Sequence, residues 1–305
     1  MSMELLIEKI KATGNPTVAG LDPKLDYVPE YIKEEAYSEF GKNAKGAGAA
    51  LLRFNKGLID ELCDIVPAVK PQMAYYEMYG LAGLHALAET VSYAKEKGMY
   101  VILDGKRNDI GSTAEAYAAA YLGESRVDAD AAWTDFPADA LTVNPYLGTD
   151  GILPFVKLCE EKDKGIFVLV KTSNPSSGEL QDLKIDDSTL YERVAHLVNR
   201  WGMSTMGESG YSGVGAVVGA TYPQQISELR KIMPTTYFLV PGYGAQGGKA
   251  EDVARAFNSD GLGAIINASR SIMCAYKKAG APEADFAKAA REEALRMKQD
   301  ITRFL

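Results

Sequence analysis

Eight short apolar runs rich in β-branched residues recur along this chain, at residues 17–21, 65–69, 100–103, 140–143, 166–170, 214–218, 237–240 and 264–266. Between most of them lie helix-period patterns, at 40–63, 81–97, 151–161, 190–201, 223–233 and 250–257, and a long one runs from 281 onwards. Strands that alternate with helices imply βαβ crossovers and a parallel sheet. Eight such repeats in 305 residues predict a closed (β/α)8 TIM barrel, an α/β fold in which residues 1–305 form one domain with N-terminal and C-terminal helical extensions. A doubly wound sheet would usually carry G-x-G-x-x-G after its first strand, and here Asp22-Pro23-Lys24 follows instead. No linker or low-complexity stretch splits the chain. The longest irregular regions are 22–30, 124–137, 172–187 and 241–248. All but 124–137 directly follow an expected strand, which is where barrels build active sites.

Bulk properties narrow the function. Net charge is −8, which argues against a nucleic-acid partner, since those proteins carry a basic footprint. No apolar run is long enough to cross a bilayer, so no membrane partner is expected. Residues 1–14 intersperse Glu4, Glu8, Lys9 and Lys11 with apolar positions and read as an amphipathic helix, not a signal peptide. The three cysteines, Cys63, Cys159 and Cys274, form no C-x-x-C pair and read as reduced thiols of a cytoplasmic protein. With only His85 and His196 beside them, no metal site is expected. No G-x-S-x-G supports a serine hydrolase.

The chemistry concentrates at strand ends. The run at 100–103 ends in Asp104, followed by Lys106 and then Asp109. Residues i and i+2 of a strand face one side, so Asp104 and Lys106 should project together, with Asp109 free to approach past the strand end. Lys70 ends the preceding strand and can reach the same point, giving a Lys–Asp–Lys–Asp array of Lys70, Asp104, Lys106 and Asp109. Flanking carboxylates would keep Lys106 protonated despite burial, able to stabilise and protonate a developing carbanion. The bland alternative is a solvated turn with a surface ion pair. After the expected seventh strand comes Pro241-Gly242-Tyr243-Gly244-Ala245-Gln246-Gly247-Gly248, and the eighth ends in Asn267-Ala268-Ser269-Arg270. Loops in these two places recurrently bind phosphate, and Arg270 would add a charge-assisted contact; the alternative for the glycines is a flexible turn. In Lys171-Thr172-Ser173-Asn174-Pro175 the hydroxyls could read a base or sugar edge, although the composition is also simple turn chemistry. Asp22 could accept from ribose hydroxyls or merely open an Asp-Pro turn.

Taken together, Asp104-x-Lys106-x-x-Asp109-Ile110-x-x-Thr113, the Pro241-Gly242-x-Gly244-Ala245-Gln246 loop and Ser269-Arg270 resemble orotidine 5′-phosphate decarboxylase. Phe54-Asn55-Lys56, Val69-Lys70-Pro71-Gln72, Val143-Asn144-Pro145-Tyr146-Leu147-Gly148 and Lys171-Thr172-Ser173-Asn174-Pro175 look like its longer (type 2) subfamily, found in many bacteria. The resemblance covers the chain from Gly20 to Met273. It implies conversion of orotidine 5′-monophosphate to UMP and carbon dioxide, the last step of de novo pyrimidine synthesis, without a cofactor. It also implies a homodimer with sites at the interface. By motif match, Lys106 is the proton donor to C6, Asp104 lies beside the substrate carboxylate, and Lys70 bridges carboxylate and ribose. Asp109 and Thr113 enter the neighbouring subunit's site. Asp22 and Gln72 match ribose-side positions, Ser173 the residue reading the pyrimidine, and Gln246 and Arg270 phosphate ligands. Pro241 belongs to the substrate-binding loop. Ser269, a substrate-binding position by the same match, departs from the Gly that many shorter relatives carry before the Arg. Related sugar-phosphate barrels, 3-keto-L-gulonate 6-phosphate decarboxylase and hexulose-phosphate synthase, share D-x-K-x-x-D but need magnesium. Thr113, the glycine loop and Lys70 favour the orotidine reading. A catalytically silent nucleotide-binding barrel is the alternative of another class, and it would have little reason to keep all four charges.

Overall fold

The expected strands all form, and they close on one another. A computed structural model of the chain describes residues 2–244 and 247–305. Its barrel strands are β1 (Thr17–Leu21), β2 (Ala68–Pro71), β3 (Tyr100–Arg107), β4 (Ala140–Val143), β5 (Gly165–Lys171), β6 (Ser212–Val218), β7 (Thr236–Val240) and β8 (Ala264–Ala268). Each pairs in parallel with its sequence neighbours, and β8 returns to β1 with Thr17 opposite Ile266.

Two strand boundaries depart from the apolar pattern for local reasons. β2 starts three residues late because the amides of Ile65 and Val66 still bond the Leu62 carbonyl at the end of the preceding helix. β3 runs four residues past its last apolar residue because the polar stretch after Leu103 bows out and rejoins β4, with Arg107 opposite Val143. The helical pattern over 40–63 forms as Ala44–Leu62, and a separate helix outside the expected patterns, Glu30–Phe40, precedes it. Gly41, at φ 81°, ends Glu30–Phe40, and the Asn43 side chain caps Ala44–Leu62 by accepting from the Lys45 and Gly46 amides. Helix Gly111–Leu122 carries alanine and tyrosine on most faces, so it lacks the contrast that would have marked it. Residues 124–137, without regular pattern in the sequence, hold an exposed antiparallel hairpin of Ser125–Asp128 and Ala131–Trp133.

Alternation along the strands produces two separate apolar clusters. Outward-facing residues pack under the helices. The last helix, Phe286–Thr302, lies against Ala44–Leu62, with the Phe54 and Phe286 rings 5.1 Å apart. Inward-facing residues, among them Val18, Ala68, Tyr100, Ile102, Phe167, Tyr237 and Ile265, fill the barrel together with Met3, Leu6, Ile7 and Ile10. The N-terminal helix, Ser2–Thr13, therefore plugs the barrel end where the strands begin. Each of its buried apolar side chains contributes roughly 1.5–3 kcal/mol. Two residues further up the strands, the inward positions are Gly20, Lys70, Asp104, Thr142 and Asn267. The interior thus changes from apolar to charged within one layer, at the end where the strands finish. Among the described residues no helix is long and apolar enough to cross a membrane.

Candidate active site

Asp104 is the centre of the charged layer. Lys70 Nζ lies 2.7 Å from its Oδ2 and Lys106 Nζ 2.5 Å from its Oδ1. Gln72 Nε2 donates to Oδ2 at 3.0 Å, and Thr142 Oγ1 donates to Oδ1 at 2.9 Å. The carboxylate so receives four donors, two of them cationic. Burial pushes its pKa up, but the charge of Lys70 and then of Lys106 outweighs burial and holds it well below the usual carboxylate range. Lys70 is only 4% exposed. Burial pulls its pKa down, and the charges of Asp104 and Asp22 more than offset that, so the ammonium sits above its ordinary value.

Within one chain three members of the expected array, Lys70, Asp104 and Lys106, are joined. The lysine held between two carboxylates is Lys70, with Asp104 on one side and Asp22 Oδ1 4.0 Å away on the other. Lys106 touches Asp104, and its side chain is 44% exposed, not buried. Asp104 and Lys106 do project together, but through a bulge and not a regular pleat. Four steps of β3, from Leu103 to Arg107, oppose two of β4, from Leu141 to Val143. Lys106 takes φ 47°, a left-handed conformation that costs a non-glycine residue roughly 1–3 kcal/mol. Its amide is held by Thr142 Oγ1 at 3.0 Å. Thr142 therefore fixes both the backbone of Lys106 and the carboxylate that Lys106 meets.

Above this floor opens a cavity of about 460 Å³, lined among others by Asp22, Lys24, Lys70, Asp104, Pro241 and Arg270. Five of the expected site residues, including Ser269, thus share one cavity with Asp104. In the glycine loop Gly242 and Gly244 take φ 100° and 70°, which β-carbon-bearing residues rarely adopt. Gln246 lies outside the described residues. Arg270 is exposed at the rim, at the start of the short helix Arg270–Met273. The Ser269 hydroxyl accepts from Asn267 Nδ2 at 3.3 Å and occupies the space a β-carbon on Gly20 would need. This close approach is why Gly20 faces Ser269.

Ser173 is half-buried and packs on Gly219, where an added β-carbon would come within 2.9 Å of the Ser173 β-carbon. The neighbouring Lys171, 1% exposed, turns into the loop and bonds Asp182 Oδ1 at 2.6 Å. Asp109 is half-buried, and its carboxylate accepts from the next amide, Ile110, at 2.8 Å. Thr113 is exposed on the first turn of helix Gly111–Leu122. Within one chain, then, Lys70, Asp104 and Lys106 are brought together, and no ion pair or side-chain hydrogen bond among the described residues joins Asp109 or Thr113 to them. Sequence reasoning missed Thr142 and Lys24. A threonine in a strand is ordinary, and only the register of β4 against β3 reveals Thr142. Lys24, two residues past Asp22, carried a weak signal as a cation in an active-site loop.

A profile of the Orotidine 5′-phosphate decarboxylase / HUMPS family matches residues 52–284. The chain is 47% identical over 296 residues to the orotidine 5′-phosphate decarboxylase of Rhodopirellula baltica, covering 96% of each chain. This chain belongs to the orotidine 5′-phosphate decarboxylase family. It is 40% identical to the Clostridium tetani family member over 99% of its own length and 98% of the other. Among solved structures, the Leishmania donovani OMP decarboxylase superposes with a TM-score of 0.73 at 33% identity, over 98% of this chain and 99% of that one. The similarity thus runs along nearly the whole chain.

Proposed function

We propose that this protein decarboxylates orotidine 5′-monophosphate to UMP and carbon dioxide in de novo pyrimidine synthesis, in the cytoplasm and without a cofactor. The observation that carries the reading is Asp104 clasped between the Lys70 and Lys106 ammonium groups at the floor of a cavity rimmed by the glycine loop and Arg270.

Phosphate would bind at the Gln246 loop and Arg270, ribose against Asp22, Lys70 and Gln72, and the pyrimidine edge at Ser173. The ring then places its C6 carboxylate beside Asp104. Cleavage of the C6–carboxylate bond releases carbon dioxide and leaves an electron pair on C6, in the ring plane. No π system is positioned to absorb it, the service that thiamine or pyridoxal cofactors usually give. The Lys106 ammonium, set where that charge develops, stabilises the pair and then transfers a proton to C6. Solvent reprotonates the amine, which is open to water. Two unit charges about 4 Å apart interact by roughly 4 kcal/mol at an effective dielectric of ~20. Enzymatic barrier lowering spans ~8–23 kcal/mol, so Lys106 alone is insufficient. Binding energy at the remote phosphate, used to press the carboxylate towards Asp104, is the second source.

Asp109 and Thr113 are assigned to the neighbour's site in a homodimer. The exposed Ile110 beside them in sequence, and the exposed Tyr146 and Leu147 on the segment that meets Asp109 at Gly151, support this. An ultraviolet assay with orotidine 5′-monophosphate tests the whole reading. Loss of the orotidine-ring absorbance at an unchanged rate in EDTA is expected. No turnover rejects it, and turnover that EDTA abolishes points to the magnesium-dependent sugar-phosphate chemistry of the same superfamily.

A further inference from the structure

The strained Lys106 is followed at once by a residue that the catalytic reading leaves unused. Arg107 leaves β3 on the side opposite to Lys106 and Asp104. Its guanidinium donates to Glu77, to Tyr121 Oη at 3.2 Å and to Met73 Sδ at 3.9 Å. It also lies over two aromatic faces, 5.6 Å from the Tyr117 centroid and 5.3 Å from that of Tyr121. Its own backbone closes the bulge, facing Val143 and accepting from the Asn144 amide at 3.0 Å. The partners come from two different directions. Met73 and Glu77 lie in the segment that follows Lys70 and Gln72. Tyr117 and Tyr121 stand on helix Gly111–Leu122, which carries Thr113 and follows Asp109.

The bulge itself has little room to relax. A β-carbon at Gly105 would lie 2.7 Å from Met73 Sδ, the same sulfur that Arg107 touches. Gly105 is thus pressed against the post-β2 segment while Arg107 grips it from beyond. A left-handed lysine is stable only where its surroundings over-determine it. Thr142 supplies one constraint from inside the barrel, and the Arg107 grip supplies the other from outside.

We infer that Arg107 is a positioning residue: by fastening the end of the β3 bulge to Glu77 and to the Tyr117–Tyr121 face, it holds Lys106 in its left-handed conformation with the ammonium on Asp104. Its side-chain hydrogen bonds all leave from Nη2, and it is the guanidinium plane over the Tyr117 and Tyr121 rings that a lysine (a point charge) would not reproduce. The inference rests on the proposed decarboxylation only in its kinetic arm, because the position of the Lys106 ammonium can also be read chemically.

The test uses the full-length chain carrying Arg107→Met. With orotidine 5′-monophosphate, kcat is expected to fall about 10–100-fold, the usual effect of a misplacement near 1 Å. KM and UMP affinity are expected to stay within about threefold, since ground-state binding is untouched. Trace acetylation of Lys106, followed by peptide mass spectrometry, should rise several-fold as the ammonium leaves Asp104. Millimolar guanidinium should restore part of kcat, and methylammonium should not. A kcat within twofold of the parent, or unchanged Lys106 acetylation, overturns the inference. So does an equal change in kcat and UMP affinity, which marks a general loss of structure. Where Arg107→Met does not fold, Glu77→Gln combined with Tyr121→Phe decides in the same directions with smaller effects. Should the parent protein show no turnover, the functional reading fails while the acetylation comparison still judges the clamp.

Discussion

Two buried cations at opposite ends of this barrel have opposite surroundings. Arg230, 8% exposed, donates from Nε to Ala256 O, from Nη1 to Met233 O and Thr236 O, and from Nη2 to Gly263 O, all at 2.7–2.9 Å. It stacks on the Phe238 ring with its central carbon 3.7 Å from the centroid. Its hydrogen bonds close a loop-rich corner with main-chain carbonyls, and burial lowers its pKa to about 10, which leaves it charged at neutral pH. Lys70 is as deeply buried, yet carboxylates surround it and its pKa moves up. Behind it a buried oxygen of Asp22 and one of Asn267 have no hydrogen-bond partner. A cation with every nitrogen bonded to backbone does structural service. A cation among charged neighbours and orphaned acceptors, under an open cavity, marks a place where binding a ligand completes the bonding.

The contrast can be broken most directly at the top. Lys106→Ala should lower kcat by at least about 10⁴-fold, removing both the electrostatic and the proton-donor contributions. Because Lys106 is half exposed, its loss should leave thermal unfolding almost unchanged and UMP binding measurable by calorimetry. Near-normal turnover would show that Lys106 is not the donor. The next largest effect tests the sharing of sites. Lys106→Ala and Asp109→Ala proteins, each inactive, are mixed and allowed to exchange subunits. Half of the resulting dimers carry one intact site of two, so about a quarter of parental activity should return. No recovery after demonstrated exchange would place Asp109 in its own chain's site.

At the bottom the expected pattern inverts. Arg230→Met removes the guanidinium donors of four buried carbonyls; Met233 O and Gly263 O keep the Thr236 and Phe238 amides, so the loss should cost at least about 2 kcal/mol of stability, at about 1–3 kcal/mol per unpaired group. Urea unfolding reads that loss, while kcat per folded molecule should stay within about twofold of the parent. A larger drop in kcat than in stability would erase the distinction between the two ends. The pH dependence sharpens it further. The folded pKa of Asp104 is depressed, so its contribution is present above the unfolded value near 3.9 and fades as pH falls through the folded one. Lys70 is raised, so its contribution is present below about 10.4 and is lost only as pH rises through its folded value. The stability difference between the parent and Asp104→Asn should therefore be flat from about pH 5 to pH 9 and change only outside that window, on acidification through Asp104 and at high pH through Lys70. A step inside that window would mean that the pair titrates where it is expected to hold constant charge.

The charged top was legible because its residues end apolar runs, and an apolar run ending in a charge is visible without any partner. Lys70 and Asp104 came together for that reason alone. The backbone path that brings Lys106 onto Asp104 was not legible. It depends on the β3 bulge, and a bulge among polar residues has no periodicity to break. Thr142, Arg107 and Arg230 escaped for a related reason: their value lies in contacts across elements, and residue type says little about such contacts. The barrel itself showed through its eight apolar runs, while helix Gly111–Leu122 and the hairpin at 124–137 lacked an apolar face to announce them.

The smallest expected effect concerns the departure at Ser269. Its side chain fills the space beside Gly20, and its hydroxyl accepts from Asn267 at the cavity edge. Ser269→Gly keeps Arg270 in place and removes one neutral hydrogen bond, worth about 0.5–1.5 kcal/mol, so kcat/KM should change by no more than about tenfold. Gly20→Ala in the parent forces the new methyl onto the Ser269 hydroxyl and should do more harm than that. In the Ser269→Gly background the two nearest contacts, both with the serine side chain, are gone, and the movable end of Asn267 lies 2.9 Å from the added carbon. The two substitutions together should therefore be less damaging than Gly20→Ala alone, a non-additivity expected only of residues in contact. Simple additivity would show that Ser269 does not set the shape of this wall, and that Gly20 is needed there for the approach of the ligand itself.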